Sequence, residues 1–167
     1  MRVGYRVWQA LRRATAGLRS RDLSVVAEVL PPEAYALFER MPAADQDHAL
    51  CVHARVRDSA LALQQAALMH DVAKGLAGVG LWDRTLHVLR QHLSPSVGRW
   101  LVSLGHRERL ASLEQHAAKG AVLCSQVGLS REVCELVAHH DGSVKDEGLS
   151  ERQHKLLEAL RAADEAC

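Results

Sequence analysis

Apolar positions recur every three to four residues through nearly the whole chain, which is the spacing of one face of an α-helix. The pattern is interrupted at "LPPE" (Leu30 to Glu33), "MPAAD" (Met41 to Asp45), "KGLAGVG" (Lys74 to Gly80), "LSPS" (Leu93 to Ser96) and "HDGSVKDEG" (His140 to Gly148). These breaks predict a helix entered through Pro31 and Pro32 and running to about Arg40. The next starts near Ala44 and carries His48 and His53. Another rises through "ALALQQAALMHD" to about Lys74, where Gly75 stops it, so that the two form an αα-hairpin. Beyond the glycine-rich stretch, "DRTLHVLRQHL" and "SVGRWLVSLG" read as two short helices. A longer helix is predicted over about Arg107 to Val127, followed by "SREVCELVAHH" and "SERQHKLLEALRAADEA", with Ser130 and Ser150 as N-caps.

Composition strengthens this picture. Of the 167 residues 48% are apolar and only 4% aromatic, with Ala and Leu abundant, which suits helices better than pleated sheets. The expected fold is all-α, a single domain of about seven to nine helices, long enough to bury a core unaided. No repeat, low-complexity segment or long linker argues for a second domain. The opening stretch places Val7, Trp8, Leu11, Ala14 and Leu18 on one arc opposite Arg2, Arg6 and Arg13. Docking of that arc on the domain is favoured over an anionic membrane surface, since amphipathic helices mostly pack.

Charge excludes more than it suggests. Twenty-one Lys and Arg face twenty Asp and Glu, and a net charge of +1 offers no broad basic surface for a nucleic acid. A small phosphorylated ligand is still compatible. No run of eighteen apolar residues exists, so no membrane span is expected. The N-terminus lacks the apolar stretch of a secretory signal, and the four cysteines, Cys51, Cys124, Cys134 and Cys167, include no C-x-x-C pair. They read as buried or incidental thiols, which points to a reducing cytoplasm.

The chemistry lies in the histidines. "LMHDVAKG" places His70 beside Asp71, yet with ten His and nine Asp chance alone would write such a pair in roughly one of two shuffled sequences. Adjacent helical side chains point about 100° apart, so the two converge on one ion only near a helix end. "HAAKGA" sets His116 one turn before Gly120, a small residue that permits close approach. "LVAHHDG" brings His139 and His140 to a helix C-terminus. Asp164, within "ALRAADEA", sits on a face of apolar and small residues, where a buried carboxylate needs a partner.

In their order, "DHALCV", "ALMHDVAKG", "HAAKGA", "LVAHHDG" and "LRAADEA" resemble the HD superfamily of metal-dependent phosphohydrolases, whose pattern is H, HD-x-x-K, H-x-x-x-G, H or HH, and a late D. The likeness covers about Ala44 to Asp164 and implies an HD-type helical core over 44–166, with residues 1–43 as N-terminal helices packed upon it. "LFERMPAADQDHAL" is similar to the lead-in of a group of small bacterial HD proteins.

The resemblance implies that His48, His70, Asp71 and Asp164 ligate one divalent metal, with Asp71 bridging to a second held by His116, His139 and His140. Lys74 would meet a phosphate. His53 competes with His48 for the first position; the "HALCV" context and the 22-residue separation from His70 favour His48. His140 is either a ligand or a group that orients one. The mixed imidazole and carboxylate set suits Fe, Mn or Co better than Mg. The implied activity is hydrolysis of a phosphoester or phosphoanhydride in a small nucleotide-type substrate by a metal-bound hydroxide. The glycine-tyrosine-proline segment of cyclic-dinucleotide phosphodiesterases is missing after "HHDG", which disfavours that substrate class. Two other outcomes share the ligand pattern: a di-iron oxygenase related to myo-inositol oxygenase, and a nucleotide-sensing regulatory module. The oligomeric state is left open.

Overall fold

The computed structural model describes residues 23–76 and 115–167. Within them the secondary structure is helical: α1 Ser24–Val29, α2 Pro32–Glu39, α3 Ala43–Val56, α4 Leu61–Met69, α5 Val72–Leu76, α6 His116–Gln126, α7 Arg131–His139 and α8 Glu151–Glu165. The all-α expectation is met. The amphipathic N-terminal stretch and the two short helices expected between Trp82 and Gly105 lie outside the described residues.

Local chemistry accounts for most of the boundaries. Pro32 opens α2, where a missing N–H goes unused, and Glu33 follows it in the first turn, favourable to the helix dipole. Pro42, extended at ψ 146°, fixes the entry to α3. Gln46 Nε2 then reaches back to the carbonyls of Phe38, Glu39 and Met41 at 3.3, 3.0 and 3.1 Å, satisfying acceptors that the end of α2 leaves open. Ser130 caps α7 by accepting from Val133 N. Ser150 and Gln153 form a reciprocal capping box at the start of α8.

Helix α4 is the centre of the molecule. Leu63, Ala66, Ala67, Leu68 and Met69 are all buried, as expected of a helix apolar on nearly every side. It pairs with α3 as the expected hairpin and packs against α1, α7 and α8. Helices α6 and α7 form a second hairpin, α5 rests on α6, and α8 closes back onto α3 and α4. The core joins Phe38, Val52, Leu68, Leu136, Leu157 and Leu160 from five of these helices.

Three expectations are corrected. The helix through "ALALQQAALMHD" does not run on to Lys74: it ends at Met69, His70 and Asp71 form a turn, and α5 then passes through Gly75 instead of stopping there. The cause is local, because His70 Nδ1 donates to Ala67 O at 2.9 Å and so supplies a side-chain donor to a carbonyl of the last turn. The helix expected over about Arg107 to Val127 is not continuous: Gln115, at φ −113° and ψ 10°, is not helical and α6 starts at His116, while residues 107–114 lie outside the described residues. Finally, Cys51 and Cys167 are joined in a disulfide while Cys124 and Cys134 are free. The pair is 116 residues apart in sequence and meets only because α8 packs on α3, which no local spacing reveals. The cysteine-based reason for a reducing compartment is thereby removed. Among the described residues, no helix is long and apolar enough to cross a membrane.

Candidate metal centre

The break after α4 sends two adjacent side chains to two different groups. His70 meets His48 of α3 and Asp164 of α8; Asp71 meets His116 of α6 and His140, which caps α7. Within each group one ligand atom per residue lies within 4.8 Å of the others, so each can hold a metal ion. Histidine nitrogen and carboxylate oxygen suit a divalent transition metal.

In the first group His48 Nε2 is 2.8 Å from Asp164 Oδ1, and His70 Nε2 is 3.7 Å from the same oxygen. In the second, His140 Nε2 and His116 Nε2 lie 3.5 and 3.6 Å from Asp71 Oδ1 and 3.2 Å from each other. Asp71 straddles the two, because its other oxygen, Oδ2, faces His70 Nε2 at 3.8 Å. One carboxylate thus offers an oxygen to each group, the arrangement a bridging ligand requires.

His70 and His140 are held in the same way. Each stands at the C-cap of its helix and gives Nδ1–H to the carbonyl three residues earlier, Ala67 O at 2.9 Å and Val137 O at 2.8 Å. That bond fixes the tautomer and aims Nε2 inward as a lone pair. Both helices also direct their negative C-terminal ends at the centre, a favourable place for cations.

Burial and charge set the protonation. Burial pushes His70 down to about 4, against the pull of Asp71, so its ring is neutral near pH 7. Burial would raise the Asp71 carboxyl, but the Lys74 ammonium and the His70 and His140 rings hold it well below the usual range. For His140 burial opposes charge, yet the Asp71 carboxylate beside it prevails and raises its pKa. Asp164 is lowered: burial works against ionisation, while the His48 hydrogen bond and the nearby His70 ring outweigh it.

A fit test for cations comes from unsatisfied atoms. Among the described residues, the buried side-chain polar atoms with no hydrogen-bond partner are His70 Nε2 and Asp71 Oδ1, one from each group. Lys74 Nζ is 2.9 Å from Oδ1 but is aligned to donate to Oδ2 at 3.2 Å. Buried acceptors left open in this way carry a desolvation cost of about 1–3 kcal/mol each, which a bound cation would remove.

Not every expected residue comes to the centre. His48, His70, Asp71, His116, His140 and Asp164 converge, and Lys74 sits on the Asp71 carboxylate. His139 lies outside both groups, with Nδ1 3.3 Å from Asp146 Oδ1. It and His140 are consecutive, so they diverge around the helix axis by about 100°. The competing His53 is buried elsewhere and contacts Gln64 Oε1 at 3.3 Å. Gly120 allows the close approach expected of it, since a Cβ there would stand 3.1 Å from Val137 Cγ1 and 3.7 Å from His70 O.

Two supporting residues were given no role by the sequence, although Asp141 lies within "LVAHHDG". Asp141 Oδ2 lies 3.6 Å from His116 Nδ1, the nitrogen turned away from Asp71. Arg161 donates to His139 O at 2.6 Å and His140 O at 3.2 Å and pairs with both oxygens of Asp146, clamping the end of α7. The centre opens to solvent at Asp164 and Lys74, whose side chains are 35% and 25% exposed. Nearby, an apolar groove of about 540 Å³ includes Ala73 and Gln115, the chain neighbours of Lys74 and His116. Compared with family models, with proteins of curated function and with solved structures, the chain matches none.

Proposed function

We propose that the protein is a metal-dependent phosphohydrolase that cleaves a phosphoester or phosphoanhydride in a small nucleotide-type substrate. The observation that carries this reading is the Asp71 carboxylate, which turns one oxygen to His70 of the first group and the other to His116 and His140 of its own, beside a lysine at the solvent-facing rim. The resemblance to the HD superfamily supports it from the sequence side, since six residues of the ordered motifs, His139 and Lys74 aside, also make up the two spatial groups.

His48, His70 and Asp164 would hold one divalent ion and His116 and His140 the other, with Asp71 shared. Such ions, when bound, activate water and neutralise charge on a phosphoryl oxygen. The protein's own part is positional. His70 and His140 are fixed by their backbone bonds, so little reorganisation accompanies binding. Cations next to Asp71 would take over the charge that Lys74 now balances. Its ammonium, already part-exposed, is then free to meet a phosphate oxygen. The apolar groove along α5 and α6 offers room for the base of a nucleotide.

The test is metal analysis combined with a screen of nucleotides and dinucleoside polyphosphates under Mn, Fe or Co. Hydrolysis with a defined phosphate product, lost together with bound metal in Asp71→Ala, is the expected outcome. If Asp71→Ala kept both its metal content and its activity, the reading would fail. Dioxygen uptake by the reduced, iron-loaded protein, without hydrolysis, would replace it with the oxygenase alternative.

A further inference from the structure

The Cys51–Cys167 disulfide lies beside the first metal-binding group, and its placement is matched on both sides. Cys51 follows His48 by three residues in α3, and Cys167 follows Asp164 by three at the end of α8. The Cα atoms of the two cysteines are 6.0 Å apart, so the bond fastens α8 to α3 about one turn from the 2.8 Å contact between His48 and Asp164.

Asp164 depends on such a fastening more than its partners do. His70 is fully buried at the heart of the fold, and His48 sits in the middle of α3. Asp164 is in the last turn of α8, which ends at Glu165, and the ends of helices open at little free-energy cost. Besides the buried Ala163 and the His48 contact, that turn is fastened by the disulfide and by Arg55, which donates to Ala166 O at 2.8 Å and lies 3.0 Å from Cys167 Sγ. Both cysteines are partly exposed, hence within reach of small solutes.

We propose that reversible formation of the Cys51–Cys167 bond tunes the metal affinity of the His48–His70–Asp164 group by fixing the Asp164 carboxylate. The proposal rests on reading that group as a metal site. In the exchange, the Cys51 and Cys167 thiols react with a low-molecular-weight disulfide. One sulfur–sulfur bond forms in the protein as the bond of the small disulfide breaks, and the two protons and two electrons end on its released thiols. With the tether open, the ion must order the last turn of α8 as it binds. With the tether closed, that ordering is already in place.

The test uses the metal-free full chain in three forms: oxidised, reduced with a phosphine, and as the Cys51→Ser/Cys167→Ser double variant, whose lack of both sulfurs excludes ligation by freed thiolates. Each is titrated with Co(II) or Mn(II) against a chromophoric chelator. The oxidised form should bind one ion about tenfold tighter than the other two, the size of the free energy needed to order about one residue's backbone. The second ion should bind equally in all three. A Cys124→Ser/Cys134→Ser variant should keep the response, and a small disulfide should restore tight binding to the reduced protein. Equal affinity in the three forms, or peptide masses showing Cys51 and Cys167 unlinked after oxidation, would overturn the proposal while leaving the metal site standing. Failure to bind an ion in any form would overturn both.

Discussion

His48 and Asp164, 116 residues apart in sequence, meet at 2.8 Å between Nε2 and Oδ1 and thereby join α3 to α8 at the rim of the first candidate metal group. Removing the carboxylate takes one of three ligand positions from that group and none from the other. Asp164→Ala should therefore lower metal stoichiometry by about one ion while leaving a second bound. Elemental analysis after gel filtration decides this, and two ions retained would exclude Asp164 as a ligand.

Lys74 neutralises the buried Asp71 carboxylate. Lys74→Met leaves that charge without its cation, and the metal-free protein should lose about 1–2 kcal/mol, less than for a fully buried pair because Lys74 is part-exposed. Divalent metal supplies the missing charge, so the deficit in thermal midpoint should close when Mn(II) is added. A deficit that persists at saturating metal would mean that cations do not reach Asp71.

The adjacent histidines separate by position. His140→Gln should reduce metal binding at the second group at least tenfold, in the range seen when a ligand or its support is lost. His139→Gln, facing Asp146, should leave stoichiometry unchanged. The reverse result in a chelator competition would place His139 in the centre instead.

Arg161 holds the carboxyl of Asp146 below its usual range through their hydrogen bonds. A depressed carboxyl stabilises the fold above the ordinary pKa of about 4, and the gain disappears as acid protonates the folded form. Arg161→Leu should thus melt below the wild type at pH 6, with the part of the gap due to Asp146 closing below about pH 4. Thermal scans across that window test it; a gap independent of pH would assign the whole effect to the lost carbonyl bonds of His139 and His140.

Gly120 lies where α6 crosses Val137 and the His70 carbonyl. Alanine there gains helix propensity but crowds Val137 at 3.1 Å, so Gly120→Ala should be near neutral. Gly120→Val should cost about 1–3 kcal/mol and weaken metal binding by moving α6 from His70. Urea denaturation of both variants tests this: helix propensity alone would leave both at least as stable as the glycine protein, so a Gly120→Val variant no less stable than wild type would exclude crowding.

The sequence was informative where one residue's chemistry decides the outcome. Prolines 31 and 32, Ser130 and Ser150 mark helix starts because each supplies or spares a particular backbone bond. The apolar period predicted α3 and α4 and their hairpin. It could not foresee the break at His70, because that depends on a side chain bonding its own helix, nor the start of α6 at His116. The residues of the centre stood out through their order, but order does not tell which of two consecutive histidines turns inward. Asp141, Arg161 and the Cys51–Cys167 bond were hidden for a common reason: each acts across elements that come together only in the finished packing.

The junction at His70–Asp71 carries a consequence for variation in this chain. Two neighbouring side chains serve opposite groups there, so the groups are in register only while the dipeptide stays at the turn between α4 and α5. Inserting or deleting a single residue between Leu68 and Asp71 would swing one member by about 100° and uncouple the two halves of the centre. At this turn, length itself is under constraint.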